Sequence, residues 1–290
     1  MTEQARIEFP VALEDLPAAE WAAAVVVRHS TRTFDGRAID PALLEQMERF
    51  AVDLPGPETA RMMVVRDVPS GVFTGFMGGY GRVIGAPSAL VMIGAETDPT
   101  VQESLGYLGE AVILQATSLG LDTCWIAGFF DRDLAETIVE LSPGERVLSV
   151  SPLGYGQPRP RAGERFLKRV VGAHKRRPIE EIAPKYDEKH WPAWAAEGVR
   201  LARVAPSAVN RQPWSLSILT ESEPVTRPLE VTGVLVSVVE RGAEGHISRR
   251  LDCGIAMLHF EVGARLMGAR GVWEILPAPE VARYVIGANS

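Results

Sequence analysis

The stretch Ala205-Pro206-Ser207-Ala208-Val209-Asn210-Arg211-Gln212-Pro213-Trp214 packs uncharged hydrogen-bond donors and acceptors between two prolines, which fix their own φ and stiffen the backbone. A stiff row of such groups suits the edge of a planar polar ring. Far upstream, Arg28-His29-Ser30-Thr31-Arg32-Thr33-Phe34 crowds two arginines and a hydroxyl into five positions. Guanidinium groups grip phosphate through forked, charge-assisted hydrogen bonds. A polar ring joined to a phosphate describes a flavin mononucleotide (FMN). The two stretches are far apart in the chain, and that spacing needs an explanation.

An internal repeat supplies it. Pro41-Ala42, an apolar helix and Pro55 return 151 positions later as Pro192-Ala193, another helix and Pro206. Gly106, Gly120 and Trp125 return 148 positions later as Gly254, Gly268 and Trp273. Two ungapped segments in the same order point to duplication. The halves are unequal. Where the second has Pro206 to Gln212, the first has Pro55-Gly56-Pro57-Glu58-Thr59-Ala60-Arg61, without the ring-reading residues; nothing in the second half resembles Arg28 to Arg32. Each half lacks what the other keeps.

Together the two stretches resemble the FMN-dependent nitroreductase family, which carries an Arg-Arg/His-Ser-x-Arg/Lys motif near the N-terminus and a Pro-Ser-x-x-Asn-x-Gln-Pro-Trp motif further on. In that family the flavin lies at a homodimer interface, with one motif from each subunit. The resemblance therefore implies an α+β nitroreductase-like fold with largely antiparallel sheets, in which two related halves, 1–180 with a basic linker and 181–290, pack as a pseudo-dimer within one chain. One composite site is retained and its symmetry mate decayed. The cofactor-binding residues it implies are Arg28, His29, Ser30 and Arg32 from the first motif, and Pro206, Ser207, Ala208, Asn210 and Gln212 from the second. Gly120-Leu121-Asp122-Thr123-Cys124-Trp125-Ile126-Ala127-Gly128-Phe129 is similar to the family's Gly-Leu-Gly-x-x-x-Ile-Gly-Gly-Phe. It adds Ile126, Ala127 and Gly128, with Gly128 placed where a side chain would collide with the ring. Lys175-Arg176-Arg177-Pro178-Ile179-Glu180-Glu181 is similar to the family's C-terminal segment and adds Lys175 and Arg177 as phosphate ligands.

The function so implied is reduction of a nitroaromatic, quinone or similar small acceptor by NAD(P)H, in two half-reactions at flavin N5. Here the cofactor is the catalyst, and no general acid or base is required of the protein. None is assigned. Other flavin chemistry on the same fold, such as oxidation, dehalogenation or flavin breakdown, and a non-catalytic flavin carrier or sensor are the alternatives.

The rest of the chain agrees. With 290 residues, 46% hydrophobic and 23% charged, it has material for one large or two medium cores, and a formal net charge of −7 argues against nucleic acid. No run of about 18 apolar residues suggests a membrane span, and the N-terminus lacks a secretory pattern, so the cytoplasm is expected. Cys124 and Cys253, one after its helix and one before, are expected as buried thiols and not a disulfide. The five histidines and two cysteines show no metal-ligand spacing, no Walker or dinucleotide loop occurs, and Gly85-Ala86-Pro87-Ser88-Ala89 lacks the last glycine of a nucleophile elbow. Helices are expected from Ala18 to Val27, from Pro41 toward Pro55, from Gly106 to Leu119 and from Gly254 to Met267, with buried strands at Met62–Val65 and Ala89–Ile93. The glycine-rich stretch Gly71 to Gly85, with Phe73, Phe76 and Tyr80, suits either a pocket wall or a surface connection. His259, on an apolar helix, is expected as a satisfied core histidine.

Overall fold

The structure, a computed structural model, describes residues 7–9, 13–73, 82–158, 172, 175–187, 189–220, 231–239 and 247–286. Phe76, Tyr80, the basic run from Arg159 to Arg169, and His174 lie outside the described residues. An N-terminal strand β1 (Ile7–Glu8) and helix α1 (Ala18–Val27) precede a first half made of α2 (Pro41–Asp53), β2 (Ala60–Arg66), β3 (Ser88–Ala95), α3 (Val101–Ser118), β4 (Asp122–Thr123), α4 (Arg132–Thr137) and β5 (Glu145–Gly154). A short α5 (Ile179–Ile182) leads to the second: α6 (Ala193–Ala202), β6 (Trp214–Thr220), β7 (Val231–Val238), α7 (Arg249–Leu266), β8 (Gly271–Ile275) and β9 (Glu280–Ile286).

The first sheet has the order β2-β3-β5-β4 and the second β6-β7-β9-β8, with β1 added beyond β8; every pairing is antiparallel. Apart from α4, each half runs helix, strand, strand, helix, strand, strand, and the two sheets order those strands alike. This is the α+β architecture of two related halves that the sequence implied.

Local chemistry explains the elements. Pro41 opens α2 where its missing N–H costs nothing, behind an Asp40 side chain that accepts from Ala42 N at 2.8 Å. Strand β3 is buried on both faces: Leu90 and Met92 face the main core, while Ala89, Val91 and Ile93 face a smaller one. Helices α3 and α7 are buried nearly all round, which only a central helix can be. Each is followed by a left-handed glycine, Gly120 at φ 80° and Gly268 at φ 84°, which ends the helix. These are two of the repeat's anchors.

Both central helices begin about a turn before the apolar pattern suggested. Cys253 consequently lies inside α7 and not before it; both cysteines are buried free thiols. Ser248 caps α7 by accepting from Arg250 N at 3.1 Å, and the buried acids Glu103 and Asp252 in the two first turns are answered by Arg250 and Arg211. Those charges interrupt the apolar periodicity but are paid for by partners elsewhere in the chain.

Gly106 and Gly254, expected as helix starts, are instead the crossing point of α3 and α7. A Cβ on Gly106 would strike the Leu251 carbonyl oxygen, and one on Gly254 the Glu103 carbonyl oxygen. The backbones touch where the halves meet. On the other flank α6 packs on α7, with the Phe260 ring filling the space a Gly198 side chain would need and meeting Trp194, Trp273 and Tyr284 at 6.2, 5.9 and 5.5 Å.

Gly106→Val and Gly254→Val are each expected to cost about 3 kcal/mol or more, because the obstacle is backbone and cannot turn aside. Gly120→Ala, strained but with open space around it, should cost only about 1 kcal/mol. Urea unfolding of the three variants checks the ranking, and equal costs would contradict the crossing argument.

Candidate functional site

A cavity of about 670 Å³ lies between the halves. Its first-half wall begins where α1 ends. The chain beyond Val27 runs beside β4: Ser30 bridges to Thr123, Thr31 N donates to Thr123 O at 2.9 Å, and the Thr31 hydroxyl donates to Asp122 at 2.9 Å. This fixes Arg28, His29, Ser30 and Arg32 along the cavity. A two-way bridge of Ile126 with Val150 of β5 holds Ile126, Ala127 and Gly128 as a second strip of wall. At Gly128 a Cβ would come to 2.9 Å from Ile247 Cδ1, so a second-half side chain closes against this glycine.

The second half contributes Pro206, Ser207, Ala208 and Asn210 to the same cavity. They lead into and form a tight turn, Ala208–Asn210, in which Val209 and Asn210 have φ of 46° and 57°, with Gln212 just beyond at 47°. A β-branched residue at positive φ is strained. The turn is held regardless: Ser207 Oγ accepts from Gln212 N at 2.9 Å, and Asp252 accepts from Ala208 N at 3.0 Å and from Arg211 Nε at 2.6 Å. Arg211 also donates to the carbonyls of Ile247 and Ser248 at 3.0 and 2.8 Å, tying the turn to the start of α7. Burial pushes the Asp252 carboxyl up to about 6, with Arg211 opposing.

Three of the expected residues lie elsewhere. Lys175, Arg177 and Gln212 flank a smaller neighbouring pocket of about 270 Å³. Gln212 Oε1 accepts from Arg177 N at 3.0 Å, and the Asn210 amide donates to the carbonyls of Gly172 and Lys175 at 2.8 and 2.9 Å. The two amides thus grip the backbone at Gly172, Lys175 and Arg177. Arg177 pairs with Glu181 at 3.0 Å, and the residue that reaches the main cavity is Arg176, whose Nη1 donates to Asn210 at 3.1 Å. Arg176 thus borders both pockets, while Lys175 and Arg177 border only the smaller one.

Charge in the cavity is unbalanced. The Arg28 side chain is only 6% exposed; its Nε stands 3.9 Å from Glu110, and neither Nε nor Nη1 has a hydrogen-bond partner among the described residues. Burial, then the nearby Arg28 and Arg203, push the Arg176 pKa down. Arg28, with Arg176 nearby, offers what a phosphate group would satisfy. Apolar walls from Val25, Trp125, Ile126 and Ile255 complete a space suited to a flat ring.

Sequence reasoning missed Arg176, Trp125, Asp252, Ile247 and Arg200, which lines the cavity from α6 and pairs with Glu197. Arg176 stood between two named residues; Asp252 and Ile247 had no linear signal. The mate position is filled. Arg61 Nε and Nη2 bond Glu145 at 2.9 and 2.8 Å, Thr59 bonds Asp98, and the Leu108 side chain packs 2.7 Å from where a Gly56 Cβ would be.

The chain matches the family model described as "Putative TM nitroreductase" over residues 20–264, and it belongs to that nitroreductase family. In fold it is similar to the "putative nitroreductase" of Thermotoga maritima MSB8, at 20% identity over 92% of this chain and 93% of that one, with a TM-score of 0.58. Further matches are a nitroreductase with bound FMN from Bacteroides fragilis NCTC 9343, at 19% identity over 50% of this chain and 96% of that one with TM-score 0.38, and an FMN-dependent nitroreductase from Clostridium difficile R20291, at 20% over 49% and 90% with TM-score 0.40. None of the curated proteins matches.

Because the folded pKa of Asp252 is raised to about 6 from about 3.9 unfolded, its contribution to stability is complete below about pH 4 and lost as pH rises through 6. The stability difference between wild type and Asp252→Asn should therefore fall by about 3 kcal/mol across that window, read by urea unfolding at several pH values. A constant difference would mean the carboxylate is already ionised at pH 4.

Proposed function

We propose that the cavity holds one FMN per chain and that the protein is a flavin oxidoreductase, using NAD(P)H to reduce a nitroaromatic, quinone or similar small acceptor. The observation that carries this reading is the meeting of Arg28 to Arg32 with Pro206 to Asn210 in one cavity, with Arg28 donors unspent. Arg28 and Arg176 would hold the phosphate, and the Pro206–Asn210 turn the polar edge of the ring. A bound FMN would supply the hydride transfer between reductant and acceptor. The protein's part is to fix the ring, screen it with apolar walls and admit the two substrates in turn. Asn210 and Gln212 also act from behind, by holding the backbone at Gly172, Lys175 and Arg177 so that Arg176 faces inward.

On this reading the halves, divided as 1–180 and 181–290, supply between them what two subunits would, so a monomer suffices. Among the described residues no helix is long and apolar enough to cross a membrane, and the cytoplasm is the compartment we assign.

The protein should purify yellow or take up FMN in preference to FAD, at one per chain. Arg28→Ala should weaken FMN binding by about 2 to 3 kcal/mol, or roughly 30- to 150-fold, through lost charge-assisted bonds. Asn210→Ala and Gln212→Ala should weaken it as well, whereas Thr59→Ala and Arg61→Ala at the mate position should leave the dissociation constant unchanged. Two flavins per chain, or equal losses from both sets, would sink the composite site.

With one cavity serving both substrates, double-reciprocal plots for reductant and acceptor should be parallel. Intersecting lines would require room for both at once, and no reduction by NADH or NADPH would remove the proposed reductant.

A further inference from the structure

Beneath the cavity floor, between α3 and α7, two ionisable residues are fully buried against each other. His259 Nε2 lies 2.8 Å from Glu110 Oε1, and both side chains are 0% exposed. The pair joins the halves, since Glu110 belongs to α3 and His259 to α7. It also reaches the cavity on both sides. Glu110 Oε2 accepts from Trp125 Nε1 at 2.6 Å, Glu110 Oε1 is the counter-charge 3.9 Å from Arg28 Nε, and His259 Nδ1 meets the carbonyl of Leu201 at 3.2 Å. Arg28, Trp125 and Leu201 all line the cavity.

A histidine satisfied by a carboxylate and a carbonyl fits the expectation of a core residue, yet core packing alone does not require a buried acid here. An unpartnered carboxylate is among the most costly groups to bury. What this one does is fasten the indole of Trp125, whose ring also fills the space beside Gly109, and stand as the anion nearest a guanidinium that lacks hydrogen bonds at Nε and Nη1. We propose that Glu110 is a positioning residue of the cofactor cavity: held from the opposite half by His259, it sets the place of Trp125 and of the Arg28 guanidinium, and so sets how tightly a phosphate-bearing flavin is taken. This rests on the reading of the cavity as an FMN site.

The chemistry indicates which replacement should rescue. Beside an uncharged glutamine, the imidazole can keep one hydrogen on Nδ1 for the Leu201 carbonyl, which only accepts, and leave Nε2 to accept. A glutamine at 110 can then give its NH2 to Nε2 and its oxygen to Trp125, keeping the indole in place without the charge. An alanine keeps neither.

The test uses the full chain, with two readouts: tryptophan emission of the flavin-free protein, referenced to Trp125→Phe, and the FMN dissociation constant. Glu110→Ala is expected to shift the emission to the red and to weaken FMN binding about tenfold. Glu110→Gln should restore the emission but recover the affinity only in part, because the charge facing Arg28 is gone. In an Arg28→Met background Glu110→Ala should weaken FMN by a smaller factor than in wild type, because only the placing of Trp125 is then left to lose. Should Glu110→Ala not fold, His259→Leu takes its place, with the same red shift and about fivefold weaker binding.

Emission and affinity unchanged in Glu110→Ala or His259→Leu, with only the melting temperature lowered, would overturn the proposal. So would an undiminished loss in the Arg28→Met background. If wild type takes up no FMN, the cofactor reading fails by itself; the emission shift and its rescue by Glu110→Gln would then still support the placing of Trp125, and their absence would refute it.

Discussion

The close crossing of α3 and α7 is the constraint on which the rest of the structure depends. Gly106 and Gly254 let two backbones touch, and any side chain at either position would meet a carbonyl oxygen of the other helix. Because the contact is between backbones, it sets the separation of the halves without adjustable side chains. The cavity walls are then placed by rigid attachment: one strip is fastened to β4 and β5, the other to the first turn of α7.

The site combines two kinds of stored cost. The Ala208–Asn210 turn carries non-glycine residues at positive φ, with Val209 57% exposed at the cavity wall. Arg28 is buried without its full set of partners among the described residues. Neither would persist unless the surroundings over-determined it. The buried Arg211 and Asp252 pair does so for the turn, and the pinning of Thr31 to Thr123 and Asp122 does so for the arginine segment.

The asymmetry of the halves has a physical expression. In the first half, the positions corresponding to the second half's turn are tied up by Arg61 with Glu145 and by Thr59 with Asp98, and Leu108 occupies the space at Gly56. Those contacts turn a potential wall into ordinary packing. The cavity between the halves is therefore lined by one face of each, with complementary chemistry from 28–32 and from 206–210.

Much of this was legible in the linear chain. Helix α1 runs from Ala18 to Val27 and α2 opens at Pro41, as local apolar spacing and proline preference require. Gly106 and Gly254 fell on a helix crossing and Gly120 and Gly268 on helix ends, and residues of 28–32 and of 206–210 line one cavity. Residue type and short-range periodicity determine these things. They could not determine which of Lys175, Arg176 and Arg177 faces the cavity, because side-chain direction in an irregular segment follows from what holds its backbone, here Asn210 and Gln212. Nor could they find Asp252, Trp125 and the Glu110 to His259 link, or the early start of α7. Charged residues in a buried helix read as surface until a partner far away in sequence is known, and only the crossing of the two central helices brings those partners together.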